Sequence, residues 1–80
     1  MPFVYILKSE KTGRFYYGST DNIENRLTYH NRGKVKSTKP FRPWLLHYKE
    51  EYATRSEAVK REMFFKSIDG YLWLKEQRIT

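Results

Sequence analysis

Apolar positions come in short runs of two different periods, and those periods predict the elements. Phe3-Val-Tyr-Ile-Leu7 is compact, aromatic and β-branched, which favours a strand. Thr12-Gly13 is a turn signal, and Phe15-Tyr-Tyr17 resumes strand character, so residues 3–19 read as a β-hairpin. Alternation puts Phe3, Tyr5 and Leu7 on one face and sends the adjacent Tyr16 and Tyr17 to opposite faces. Gly18 ends the second strand at a point where the backbone needs a close approach or an unusual φ.

The period then changes to that of a helix. Asp21-Asn22-Ile23-Glu24 has the capping-box pattern with a carboxylate at the N-cap, predicting a helix from Asn22 to His30 that stops at Gly33. Ile23 and Leu27 face the core, while Asn22, Arg26 and His30 form a second row on a neighbouring face. Residues 31–43 form a loop punctuated by Gly33, Pro40 and Pro43. Trp44-Leu-Leu-His-Tyr48 is a third strand running on to Tyr52. Thr54-Arg-Ser-Glu57 is a second capping box, opening a helix that extends to Lys66. Gly70 breaks the pattern, and Tyr71 to Gln77 form a short last helix. The order is ββαβαα, an α+β sandwich of a small sheet and flanking helices in one domain over residues 1–80.

Composition narrows the class. A domain this small buries only about 60% of its unfolded surface, so large rings such as Phe65, Trp44 and Trp73 must supply much of the core. The absence of cysteine removes disulfides and thiolate zinc sites, and suits a reducing cytoplasm. No apolar run is long enough to cross a bilayer. The opening segment lacks the basic region and cleavage site of a secretion signal and reads as a strand. Sixteen Lys+Arg against nine Asp+Glu give a net charge of +7, a field that concentrates polyanions. Nucleic acid is the first candidate partner and an anionic membrane surface the second. Between Asn31 and Pro43 stand Arg32, Lys34, Lys36, Lys39 and Arg42 with no acid among them, which suits the tracking of a phosphate backbone.

Glu62 is the most informative single position. At about 100° per residue, with Ala58 set at zero, Phe65 falls near −20°, Glu62 near 40°, Val59 near 100° and Met63 near 140°. Glu62 therefore lies inside an apolar arc. A carboxylate there is salt-bridged to a neighbouring Lys or Arg, escapes at the edge of the face, or holds a metal. Arg26 and His30 share a helix face that is either solvated or aimed at a phosphate; guanidinium suits bidentate phosphate binding, and imidazole suits proton transfer. Tyr5, Tyr16 and Tyr17 are either packing residues or phenols that need a nearby cation to act as a base. His47 stands alone and reads as structural. There is no P-loop glycine pattern, no Ser or Cys nucleophile arrangement and no paired-carboxylate cluster.

Taken in order along the chain, these residues resemble the GIY-YIG nuclease family. Val4-Tyr5 is similar to the end of the first motif, and Tyr16-Tyr17-Gly18 to the second. The run from Gly18 through Arg26 to His30 and Asn31 is similar to the family's first helix, and Ser56 through Glu62 to the helix bearing its metal-binding glutamate. Phe3 stands in place of a motif glycine, Ser19 in place of a lysine found in some members, and no asparagine follows the glutamate helix.

The resemblance implies a three-stranded antiparallel sheet flanked by helices, and closest likeness to short stand-alone bacterial members described as excinuclease-subunit-C-like. It further implies cleavage of DNA, in repair or related processing, with one Mg²⁺ or Mn²⁺ held by Glu62. Arg26 would neutralise phosphate charge, Tyr5 or Tyr16 would orient or deprotonate water, with Tyr5 favoured as base, and His30 would assist. Branched or damaged DNA is a candidate substrate, and a protein partner is a candidate source of targeting. The reading from a different class is a nucleic-acid-binding or adaptor module that keeps the scaffold without turnover; the blandest is a basic protein-interaction domain.

Overall fold

The computed structural model describes residues 1–80. Strand β1 (Phe3–Ser9) pairs antiparallel with β2 (Phe15–Thr20) on one side and with β3 (Trp44–Glu51) on the other, so the sheet order is β2-β1-β3. Helix α1 (Ile23–Asn31) follows the hairpin, a single 3₁₀ turn (Lys39–Phe41) precedes β3, and α2 (Arg55–Phe65) and α3 (Ile68–Glu76) close the chain. The expected α+β architecture and the ββαβαα order are both present.

Central placement explains the unbroken apolar run of β1. Val4, Tyr5, Ile6 and Leu7 are all buried because both faces of the strand are covered. Val4 and Ile6 pack with Phe65 and Leu74 beneath α2 and α3. Tyr5 and Leu7 pack with Trp44, and Ile23 and Leu27 of α1 close over them. Ser9 continues this second face, accepting from the Lys11 and Thr12 amides and donating to the Phe41 carbonyl at 2.6 Å. One side chain thus shapes the hairpin turn and pins the basic loop to the sheet. Register slips once in β3, where His47 is the extra residue between Leu46 and Tyr48. Its ring lies 5.0 Å from Phe15 and its Nε2 donates to the Ile79 carbonyl, a structural post as expected.

Several boundaries differ from the expectation, each for a tertiary reason. The N-cap of α1 is Asn22 and not Asp21: Asn22 Oδ1 accepts from the Asn25 amide at 3.0 Å, while the Asp21 carboxylate is drawn away to Arg55. Strand β2 does not end at Gly18 but runs on to Thr20, since Val4 and Phe3 of β1 pair with Ser19 and Thr20. Gly70 does not break the chain. It lies inside α3, whose N-cap is Ser67, and a Cβ there would stand 1.7 Å from the Phe64 carbonyl oxygen. Glycine lets the first turn of α3 press against the last turn of α2. The capping box at Thr54 and Glu57 is present in both directions.

A second polar device ties β3 to the helices. Glu50 accepts from Arg61 Nε at 2.9 Å and from the hydroxyls of Tyr48 at 2.5 Å and Tyr52 at 2.7 Å. The Arg61 guanidinium in turn lies 4.4 Å from the centre of the Trp73 ring and 5.0 Å from that of Phe65. Burial alone would raise the Glu50 carboxyl, but Arg61 and the two phenols outweigh it and hold the group below the usual carboxylate range. Tyr48 is pushed up to about 12 by burial and by its bond to Glu50.

Because the folded pKa of Glu50 is depressed, its contribution is complete above the unfolded carboxylate value and fades as pH falls through the folded one. Glu50→Gln is expected to cost about 2 kcal/mol near neutral pH in urea unfolding, and the gap from wild type should narrow as the solution is acidified below about pH 4. Gly70→Ala is expected to destabilise the fold by the roughly 1–3 kcal/mol typical of overpacking, seen as a lower thermal midpoint, unlike an alanine introduced at an exposed helical site.

Candidate active site

The site begins with a close approach across the hairpin. Tyr5 pairs directly with Gly18, and a Cβ on Gly18 would stand 2.4 Å from the Tyr5 hydroxyl oxygen. The Tyr5 ring therefore lies over bare backbone, a position that any side chain at residue 18 would fill. The expected close approach at Gly18 is thus identified: its partner is the phenol. Leu7 pairs with Tyr16, which shares this face and brings its ring to 4.9 Å from His30.

His30 enters from the last turn of α1. Its ring is fully buried, and Nε2 lies 3.1 Å from the Tyr5 hydroxyl. Burial first, and the nearby Arg26 charge second, lower its pKa to about 4, so the imidazole is neutral at physiological pH. The solvated-face alternative for His30 is overturned, because the helix turns that residue straight onto the sheet. Nδ1 lies 2.8 Å from the Thr38 hydroxyl, and no buried side-chain polar atom lacks a partner.

Arg26 stands one turn before His30 and is half-buried. Contact with the Tyr5 hydroxyl is the main influence on its guanidinium and raises its pKa further. Burial raises the Tyr5 phenol, an effect that Arg26 partly offsets. Arg26 also lies 5.1 Å from the centre of the exposed Tyr29 ring. It lines a polar cleft of about 490 Å³ with Ser19, Asn22, Asn25 and Arg55. A second cleft, sharing Asn25 and Tyr29 with the first, carries the groove along α1 to Arg32 and Lys34.

Glu62 takes the edge-of-face alternative, because the apolar arc of the helical wheel is only partly buried. Val59 and Met63 are 38% and 66% exposed, so the buried face of α2 runs through Ala58, Phe65, Phe64 and Arg61, and Glu62 occupies its rim. Its side chain is 20% exposed, and Oε2 accepts from Lys66 Nζ at 2.8 Å. Oε1 makes no protein hydrogen bond. The charge of Glu62 acts on the Tyr5 phenol together with those of Arg26 and Tyr16, which puts all four groups within one electrostatic neighbourhood. No group of three or more His, Cys, Asp or Glu side chains is arranged to enclose a metal. One partly exposed carboxylate with a free oxygen fits a hard cation that keeps most of its water, the manner of Mg²⁺.

In the basic loop, Arg32, Lys34, Lys36 and Lys39 are exposed. Arg42 is not part of that solvent-facing row, since its Nε donates back to the Lys39 carbonyl at 2.9 Å. Residues that sequence reading passed over also reach the site. Thr38 holds His30, while Asn25, Tyr29 and Arg55 line the cleft. Arg55 carried a weak signal as a cation at a helix start; Thr38, a loop hydroxyl among lysines, carried none.

Comparison with known proteins shows the family and the fold. The GIY-YIG catalytic domain pattern matches residues 1–69. A UPF0213 protein of Staphylococcus haemolyticus is 42% identical over 74 residues, covering 91% of this chain and 89% of its own. A UPF0213 protein of Staphylococcus aureus is 46% identical over 66 residues, covering 81% and 79%. The solution NMR structure of the UPF0213 protein BH0048 from Bacillus halodurans superimposes with a TM-score of 0.56 at 28% identity, covering 96% of this chain and 85% of that one. A hairpin that lays a tyrosine across a glycine, with arginine and histidine delivered from the next helix, is therefore found in a chain that belongs to the GIY-YIG catalytic-domain family and carries its nuclease-type fold.

Proposed function

We propose that this protein is a metal-dependent DNA endonuclease that hydrolyses a phosphodiester at the cleft beside Arg26. The observation that carries this reading is convergence: Tyr5, Tyr16 and His30 are packed together next to Arg26, which lines the polar cleft, and the charge of Glu62 acts on the same Tyr5 phenol. Glu62 would hold Mg²⁺ or Mn²⁺ by its free oxygen. The cation, when bound, would polarise the phosphate and stabilise the departing oxygen.

The remaining work falls to the chain. Arg26, fixed in its charged form, neutralises the non-bridging oxygens as charge builds in the transition state. Tyr5 accepts a proton from the attacking water while its own proton moves to His30 Nε2. The neutral imidazole is free to take it, and a bound phosphate makes it a better acceptor by opposing the Arg26 charge. Tyr16 closes the other side of the His30 ring. The groove over α1, ending at Arg32 and Lys34, gives the flanking backbone a path, and Lys36 and Lys39 extend the positive field beyond it. With no base-reading element beside this path, recognition is of backbone and shape.

One observation favours a second reading. Lys66 occupies one oxygen of Glu62, as in a carboxylate retired from metal binding, which would leave a nucleic-acid-binding module without turnover. Nicking of branched, nicked and duplex DNA with Mg²⁺ or Mn²⁺ separates the two. Wild type is expected to cleave, with Glu62→Ala and Arg26→Ala each at least about 100-fold slower and still folded. Equal products from all three proteins would defeat the mechanism; no cleavage by wild type with retained binding would favour the module.

Gly18→Ala is expected to displace the Tyr5 ring and cut cleavage sharply with the circular dichroism spectrum little changed. Lys66→Gln is expected to tighten Mn²⁺ binding, measured by water-proton relaxation, because it removes a competing ammonium from Glu62. Neutralising Arg32 and Lys34 together should reduce the slope of log affinity against log salt by about 0.9 for each duplex phosphate that is no longer neutralised.

A further inference from the structure

The 3₁₀ turn of the basic loop (Lys39–Phe41) lies between the end of α1 and the tip of the β1–β2 hairpin and touches both. On the α1 side the loop presses on Gly33, where a Cβ would stand 2.9 Å from Arg42 Nη1 and 3.3 Å from the Lys39 stem. Arg32 and Lys34 flank that glycine, so their charges and those of Lys39 and Arg42 gather around one bare stretch of backbone. On the hairpin side, Lys11 Nζ donates to the Pro40 carbonyl at 3.5 Å, and the Arg14 guanidinium lies 4.5 Å from the centre of the Phe41 ring. The Glu10 amide donates to the Pro43 carbonyl at 2.9 Å, and Ser9 Oγ donates to the Phe41 carbonyl at 2.6 Å, fastening tip and turn together.

These contacts join segments far apart in the chain, since 29 positions separate Lys11 from Pro40. Together they make a cationic track. It leaves the cleft beside Arg26 through the groove that ends at Arg32 and Lys34, passes Lys39 at Gly33, and reaches Lys11 and Arg14 at the hairpin tip. Lys11, Arg14, Arg32, Lys34 and Lys39 are exposed, and no ion pair uses any of them. Glu10 is the one acid at the tip, outnumbered by Lys8, Lys11 and Arg14.

The form of the track selects among polyanions. A single strand binds by phosphate contact and by stacking its bases on exposed rings. Beyond Tyr29 the track exposes no ring, because Phe41 is half-buried beneath Arg14. A duplex hides its bases and presents phosphates at regular spacing, which pinned cations suit. We propose that this track seats a duplex DNA arm flanking the scissile phosphate, with Lys11 and Arg14 of the hairpin tip as its far anchor. The longest dimension of the molecule is 28 Å, and a duplex strand presents a phosphate about every 3.4 Å, so the seated arm is at most about eight base pairs.

The place of the scissile phosphate rests on the nuclease reading; the duplex contact does not, and the experiments separate the two. Binding of duplex DNA is measured by fluorescence anisotropy in EDTA over a range of salt, without metal or turnover. Lys11→Gln with Arg14→Gln is expected to lower the slope of log affinity against log salt by about 0.9 for each phosphate released, weakening binding about 5-fold per contact near about 0.15 M salt. Lys60→Gln with Lys75→Gln removes the same charge from α2 and α3, off the track, and should leave the slope nearly unchanged. Lys11→Arg with Arg14→Lys keeps both charges and should keep the wild-type slope. Equal losses from the tip pair and the α2–α3 pair would reduce the effect to net charge and overturn the proposal. A charge-keeping pair as weak as the glutamine pair would also overturn it, since the tip would then only hold the loop. A single strand bound as tightly as the duplex, with the same loss in the tip variant, would overturn the duplex assignment. In the cleavage assay with metal, KM should rise when the arm is cut well below about eight base pairs, and the glutamine pair should raise KM on the long arm alone. Equal effects on long and short arms would take the tip off the arm's path. Absence of wild-type cleavage together with a tip-dependent salt slope defeats the nuclease reading and leaves the duplex contact standing.

Discussion

Strand β1 is squeezed between two layers, and a strand covered on both sides must send something buried in each direction. Period-two alternation does this with Val4 and Ile6 toward α2 and α3, and Tyr5 and Leu7 toward α1. Everything at the site depends on that division. Tyr5 is the large side chain with a polar tip that the central strand commits to its α1 face. Its hydroxyl must find partners, and the geometry supplies His30, with Arg26 alongside. Gly18 on the neighbouring strand makes room for the ring. A packing requirement and a chemical one are met by the same residue.

Two partly buried carboxylates face opposite fates in this structure. Glu50 has hydrogen-bond donors on both oxygens, from Arg61, Tyr48 and Tyr52, and the cation of that pair is itself covered by aromatic rings. It is a closed network that fastens β3 to α2. Glu62 has one partner, a half-exposed lysine on its own helix, and one free oxygen. The closed group is suited to stability and the open one to a ligand, because an exposed i, i+4 ion pair contributes little and is readily exchanged.

The segment between α1 and β3 serves two purposes that composition alone merges into one. Its exposed cations, Arg32, Lys34, Lys36 and Lys39, contribute field. Its inward residues hold things still: Thr38 braces His30, Arg42 clasps the Lys39 carbonyl, and Phe41 is tethered to Ser9. Asn31 adds to this by pairing with both the amide and the carbonyl of Trp44, continuing the sheet's hydrogen bonding with a side chain. A loop so pinned keeps its cations at a constant distance from the site, which a free loop of the same composition would not.

Local physics determined much of this protein from sequence. The element order, the hairpin, the Thr54–Glu57 capping box and the common face of Phe3, Tyr5 and Leu7 follow from interactions within a few residues, which any stretch of chain carries with it. The grouping of Tyr5, Tyr16, Arg26, His30 and Glu62 as candidates has another source, the resemblance of their ordered motifs to a known family. Tertiary structure decided what depends on neighbours from elsewhere. Asn22 rather than Asp21 caps α1 because Arg55 claims the aspartate; Gly70 is internal because Phe64 presses on it; Glu62 is at a rim because α2 is rotated to bury Arg61. Thr38 acquires its place only when a loop folds over a histidine that faces a tyrosine on a distant strand. Hydrogen-bond direction and burial are properties of assembled neighbours, and no window along the chain contains them.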